Sequence, residues 1–128
     1  MIVSILEIII FIIECSLHGV NNSEFLAPDA HSMEVMGWQD SKKIKNQWQI
    51  WRWFTPIFLH GHLEHLAGNV VGQLYMGAGI EYGIGPWYMT FLYLITGFGG
   101  NLLSSVLNPV SFGVGASTAV FGLVGFYV

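Results

Sequence analysis

Four apolar stretches divide the chain: Met1 to about Leu17, Leu59 to Ile80, Trp87 to Leu107, and Val110 to Val128. Segments near or above the ~17 residues that a helix needs to cross a bilayer constrain the fold more than any other feature. Composition points the same way. Hydrophobic residues fill 53% of the 128 positions and charged residues only 9%, against roughly 25% charged in an ordinary soluble domain. So few charges cannot coat a water-facing surface. Lys and Arg number 4 against 8 Asp and Glu, which leaves no basic patch for phosphates and argues against a nucleic-acid partner. A single cysteine, Cys15, excludes an internal disulfide and a multi-cysteine metal site. The expected fold class is an all-α membrane protein, a polytopic helical bundle with about four helices present.

The first stretch carries Glu7 and Glu14. A signal peptide wants a basic start and an acid-free core, whereas two glutamates seven apart share one helical face. A membrane helix over 1–18, packed against partners, is the better reading. The connection over 19–58 holds Glu24, Asp29, Glu34 and Asp40 and all the cations, Lys42, Lys43, Lys45 and Arg52. Its end is aromatic, with Trp48, Trp51, Trp53 and Phe54 following Trp38. Tryptophan beside lysine and arginine is the pattern of the membrane–water interface. Core helices two to four then occupy 59–128, joined by turns at Gly83, Gly85 and Pro86 and at Asn108–Pro109, which make them antiparallel neighbours. Gly68 and Gly72 form a G-x-x-x-G pair, which is either a close-packing motif or tolerated glycine. The many other glycines favour a compact bundle. The last stretch finishes without an interfacial or charged flank, so the sequence is expected to be incomplete.

Polar residues inside such segments are costly and are functional candidates by default. Two groups stand out. In His60-Gly-His62-Leu-Glu64-His65-Leu-Ala-Gly-Asn69, a helix would place His65 and Asn69 on one face. In Gly113-Val-Gly115-Ala-Ser117-Thr-Ala-Val-Phe121, Ser117 sits where a loop becomes a helix, with Phe121 one turn on. Backbone N–H groups at a helix start lack internal partners and would help hold an oxyanion beside Ser117. A structural reading makes His65 and Asn69 interhelical hydrogen-bonding residues and Ser117 a small packing residue. A metal site on His60, His62 and His65 is disfavoured, because His-Leu-Glu-His is not the H-E-x-x-H spacing and no fourth ligand is evident. Gly77-Ala-Gly79 lies in an apolar helix with no strand before it, so it is not a dinucleotide-binding loop. The nucleophilic reading takes Ser117 as attacker and the His/Asn face as oxyanion donors.

Taken together, WRWFTPIFLH, HLAGN, GGNLLS and VGASTAVFG, in that order from about Trp48 to Val128, resemble the rhomboid family of intramembrane serine proteases. The resemblance implies a six- or seven-helix bundle that hydrolyses peptide bonds of membrane proteins within or at the edge of the bilayer. It implies Ser117 as the nucleophile and His65 and Asn69 as side-chain donors to the oxyanion, with Gly115 in the nucleophile motif and His60 in support. Phe121 would match an aromatic that packs on the catalytic histidine. Trp51 and Arg52 would order the first connection, and Glu81 with Gly85 would end the second segment. No metal or organic cofactor is implied. The partners implied are single-pass transmembrane substrates and the lipid bilayer.

Three departures bear on this. Tyr82 stands where the family often has arginine. The family's general base, a histidine on a later helix, has no match in these residues, so the 128 residues alone are expected to be inactive. The alternative is a non-catalytic relative that binds membrane clients. Finally, the positive-inside rule would put the cationic connection in the cytoplasm, whereas the resemblance puts it on the opposite side; the resemblance is preferred.

Overall fold

The computed structural model describes residues 2–110 and 112–128; Met1, where the first apolar stretch begins, and Ser111, in the last one, lie outside the described residues. Helix α1 spans Ile2–Leu17 and buries Val3, Ser4, Glu7, Phe11 and Glu14. These recur at three and four residues, the spacing of a single helical face. The remaining isoleucines point outward, Ile5 and Ile12 among them.

Both glutamates of α1 are fully buried. Glu7 accepts hydrogen bonds from Gln73 Nε2 (2.7 Å) and the Tyr93 hydroxyl (2.6 Å). Gln73 Nε2 also reaches the Tyr93 oxygen (2.8 Å), and Ser4 Oγ donates to Gln73 Oε1 (2.6 Å). A buried polar group is tolerated only when it finds such partners. This cluster therefore fixes how α1 meets the two helices that carry Gln73 and Tyr93.

The connection folds into short pieces. Strands β1 (Val20–Asn21) and β2 (Ala27–Pro28) pair antiparallel. Helix α2 (Ala30–Met36) is N-capped by Asp29 and ended by Gly37 at φ +102°. Strand β3 (Gln39–Asp40) leads into α3 (Ser41–Gln47), where Asp40 caps by accepting from the backbone amides of Lys42 and Lys43. Two 3₁₀ turns follow, Ile50–Trp53 and Thr55–Phe58.

Arg52 holds these pieces together. It is 5% exposed, and its guanidinium donates to the carbonyl of Glu34 through both terminal nitrogens (3.1 Å each), to the carbonyl of Trp38 (2.9 Å) and to Gln49 Oε1 (2.6 Å). The Glu34 carbonyl belongs to the last turn of α2, where free carbonyls and the helix dipole both favour a cation. Burial pulls the Arg52 guanidinium below the usual arginine value, while nearby Asp40 and Glu34 oppose that. Lys43 pairs with the Glu34 carboxylate, which holds that carboxyl below its ordinary range.

The second stretch is helical from α4 (Leu63–Gly72) through a π turn (Gln73–Gly77) into α5 (Ala78–Ile84). It begins at Leu63 rather than Leu59 because His62 acts as N-cap, its side chain accepting from the His65 amide. Helix α6 runs Pro86–Leu107 and is, among the described residues, the one helix long and apolar enough to cross a membrane by length and composition. In the last stretch Phe112–Gly113 forms strand β4 on β3, and helix α7 opens only at Ser117 and runs to Tyr127. The chain after Pro109 thus spends its first backbone bonds on the connection.

Helices α6 and α7 lie so close that side chains would not fit between them. A Cβ added at Gly97 would lie 3.1 Å from Ala119 Cβ, one at Gly100 would lie 2.8 Å from Thr118 Cβ, and one at Gly122 2.2 Å from Thr96 Cβ. Of the Gly68/Gly72 pair, Gly72 meets Val120 of α7 and Gly68 faces open space, so one of the two packs closely. Ile57, Met89, Tyr93, Ala116, Ala119 and Leu123 form the core between the second 3₁₀ turn, α6 and α7. The architecture is an all-α helical bundle in which this core fixes where α7 begins.

Candidate active site

Three local structures converge on the start of α7. The first is the loop before α4. His60 there is fully buried, and its backbone N–H donates to Glu14 Oε2 at 3.2 Å. The second is the first turns of α4. The His65 ring stands edge-on to His60, with centroids 5.3 Å apart and planes at 72°. One turn later Asn69 is 8% exposed, and its side-chain nitrogen has no hydrogen-bond partner among the described residues. His62 has a different task, since its Nδ1 caps the helix and its Nε2 lies 3.0 Å from Glu24 Oε2.

The third structure is the loop into α7. Gly115 has φ +118°, a conformation that residues with a Cβ rarely adopt. Its amide donates to the Pro56 carbonyl at 2.8 Å, which ties the loop to the segment just before α4. A Cβ at Gly115 would fall 2.5 Å from His65 Cε1 and 3.7 Å from Asn69 Nδ2. The glycine backbone therefore lies directly against the imidazole and beside the carboxamide. Ala116 is buried in the core, and Thr118 Oγ1 reaches the Gly97 carbonyl of α6 at 3.5 Å. Ser117, between these two anchors, opens α7 half-buried.

Seen as chemistry, an imidazole and an unpartnered carboxamide lie against the Gly115 backbone, and two residues on a primary alcohol opens a helix whose first-turn N–H groups are free. Such donors suit a carbonyl oxygen that gains negative charge. Of the residues singled out in the sequence, His60, His65, Asn69 and Gly115 come together, and Ser117 follows Gly115 by two residues in the chain. Phe121 follows Ser117 by one turn and is 74% exposed. Trp51 is half exposed and Arg52 serves the connection. Glu81 lies on α5, where its carbonyl accepts from the Gly85 amide at 2.8 Å and Gly85, at φ +86°, ends the helix. Sixteen residues at ~1.5 Å each place Glu81 roughly 24 Å along the helical path from His65. Among the described residues no group of three or more His, Cys, Asp or Glu is arranged to hold a metal ion.

The sequence reading passed over Gln73, Tyr93 and the Pro56 carbonyl. A glutamine in the middle of an apolar helix is itself a signal of a buried polar partner. Nothing local marks Tyr93 or Pro56, whose roles exist only through contacts distant in the chain.

The rhomboid domain model matches residues 47–128. RHOMBOID-like protein 1 of Arabidopsis thaliana is 37% identical over 106 residues, which cover 83% of this chain and 27% of that protein. Rhomboid-like protease 3 of Toxoplasma gondii is 33% identical over 123 residues, 96% of this chain and 44% of the relative. Rhomboid-like protease 1 of the same organism is 41% identical over 104 residues, with 80% and 35% covered. The chain thus spans less than half the length of each. The matched region takes in the Trp51-Arg52 pair, the His65/Asn69 helix and the Gly115-Ala116-Ser117 loop, and on this likeness the chain belongs to the rhomboid family.

Proposed function

We propose that this chain supplies the nucleophile and oxyanion-binding half of a serine-type endopeptidase that cleaves transmembrane proteins within or at the edge of the bilayer. In this reading the Ser117 oxygen attacks the scissile carbonyl carbon, and its proton passes to a histidine of the whole protein beyond Val128. The carbonyl oxygen becomes an oxyanion held by Asn69 Nδ2, the His65 ring and the Ser117 backbone N–H. Collapse breaks the C–N bond, and the amine leaves with the proton held by that histidine. Water then hydrolyses the acyl-enzyme by the reverse relay. The substrates would be single-pass helices with a locally unwound segment, because an intact spanning helix shields its peptide bonds.

The observation that carries this reading is the buried Asn69 carboxamide nitrogen, which has no partner among the described residues and lies beside the Gly115 backbone two residues before Ser117. A buried donor left unmade costs about 1–3 kcal/mol, so a ligand oxygen is its natural complement. The names of the two Toxoplasma proteases support the same chemistry. The alternative reading is a client-binding member without catalysis.

The test is cleavage of a tagged single-pass reporter by the full-length protein and its Ser117→Ala variant. Cleavage by the parent and none by the variant, with equal expression and helicity, is the expected result. Equal cleavage by both removes Ser117 as nucleophile. Absence of cleavage by the parent, together with co-purification of the intact reporter, establishes the client-binding reading.

A further inference from the structure

The cations of the chain are unevenly committed. Arg52 is engaged by carbonyls and Lys43 by Glu34. The Asp40 carboxylate accepts from two backbone amides of α3. Lys42 and Lys45 remain, both exposed and without an acidic partner among the described residues. They lie three apart on α3, which places them on neighbouring positions of one face. At Lys45 a groove of about 360 Å³ runs between α3, the first 3₁₀ turn and the C-terminal end of α6, with Lys42 one turn back on α3. Ile44, Lys45, Trp48, Trp53, Leu102 and Val106 are among its lining residues.

This groove contains none of His60, His65, Asn69 or Ser117, so it is separate from the candidate active site. Its walls are apolar, and it sits at the end of the one described helix of membrane-spanning length. Around it Leu103, Val106 and Leu107 are exposed, as expected where a helix end faces hydrocarbon. Trp48 occupies the left-handed region at φ +55° and is 79% exposed. A bulky residue held there is uncommon, and this one presents its ring at the groove. Tryptophan and lysine together are the side chains that meet the boundary between acyl chains and headgroups.

We propose that the groove seats one anionic phosphoglyceride of the surrounding membrane, its acyl chain against Trp53, Leu102 and Val106 and its phosphate between Lys42 and Lys45. A free phosphate would make no use of the apolar walls, and a zwitterionic lipid would carry its own cation toward two lysines. Each lysine near an anionic headgroup contributes enough to shift affinity several-fold. The site rests on the membrane setting of the family and is independent of the proteolytic reading.

The test titrates the full chain in detergent with phosphatidylglycerol, phosphatidylcholine or glycerol 3-phosphate, with bound molecules counted by native mass spectrometry. The parent is expected to retain one phosphatidylglycerol at least roughly tenfold more tightly than phosphatidylcholine. Lys42→Gln with Lys45→Gln should reduce that preference to within about twofold. Val106→Trp should abolish retention of both lipids. Val106 is 70% exposed, so the new ring fills the groove from outside without crowding the core. Equal retention of the two lipids by the parent overturns the proposal, as does a preference that survives loss of both lysines. Displacement of the lipid by glycerol 3-phosphate, or occupation of the groove by a substrate helix instead, overturns it too.

Discussion

Gly115 shows how one residue ties backbone conformation to chemistry. Its positive φ lets the chain turn into α7, and its missing Cβ lets that turn lie on His65. Asn69, alongside, is the residue whose change is most informative. Asn69→Ala in the full-length protein is expected to lower kcat by about 10²–10³-fold with little change in KM, the scale for removing one oxyanion donor. Unaltered kcat on a transmembrane reporter would remove Asn69 from the proposed role. At this scale much was legible in the sequence. The four-residue step from His65 to Asn69 puts them on one face before any fold is known, whereas the positive φ of Gly115 shows only in the structure. Gln73 and Tyr93 were not legible, because the sequence shows a polar group in an apolar run without showing what answers it.

Among the elements, the connection depends on Arg52 more than on its own short helices. Replacing it by lysine keeps a charge but cannot reach the Glu34 and Trp38 carbonyls together. Arg52→Lys is expected to cost about 1–3 kcal/mol, because the Trp38 carbonyl loses the guanidinium while the Glu34 carbonyl keeps the Gly37 amide. Thermal unfolding should show the loss, with turnover per folded molecule unchanged. A normal melting temperature with lost turnover would instead place Arg52 in the chemistry. The π turn at Gln73–Gly77 is the second informative element. A π turn closes i→i+5 and so holds one residue more than an α turn, and here it begins at Gln73, which meets Glu7. The apolar runs made the helices legible, but two boundaries were not. His62 moves the start of α4 by capping it, and the pairing of Phe112–Gly113 with Gln39–Asp40 delays α7 to Ser117.

For the whole molecule, the buried cluster of Ser4, Glu7, Gln73 and Tyr93 joins α1, the π turn and α6. Removing Gln73 leaves the buried Ser4 hydroxyl without this acceptor and Glu7 with the Tyr93 hydroxyl alone. Gln73→Ala is therefore expected to destabilise by about 1–3 kcal/mol per orphaned group, more than any single exposed-face substitution, and chemical denaturation measures it. A loss under about 0.5 kcal/mol, the range of surface changes, would mean that the cluster relaxes freely. That α1 packs through its glutamates was legible from their spacing, whereas the partners they pack against were not.

The hydrogen bond from Gly115 to the Pro56 carbonyl has a consequence in time as well as in space. The ribosome delivers His60, His65 and Asn69 early and Ser117 only after the whole of α6. Until α7 settles into place, the imidazole and the carboxamide have no Gly115 backbone against them. Under the proposed function, the oxyanion donors are thus made first, the nucleophile next, and the histidine that would activate it last.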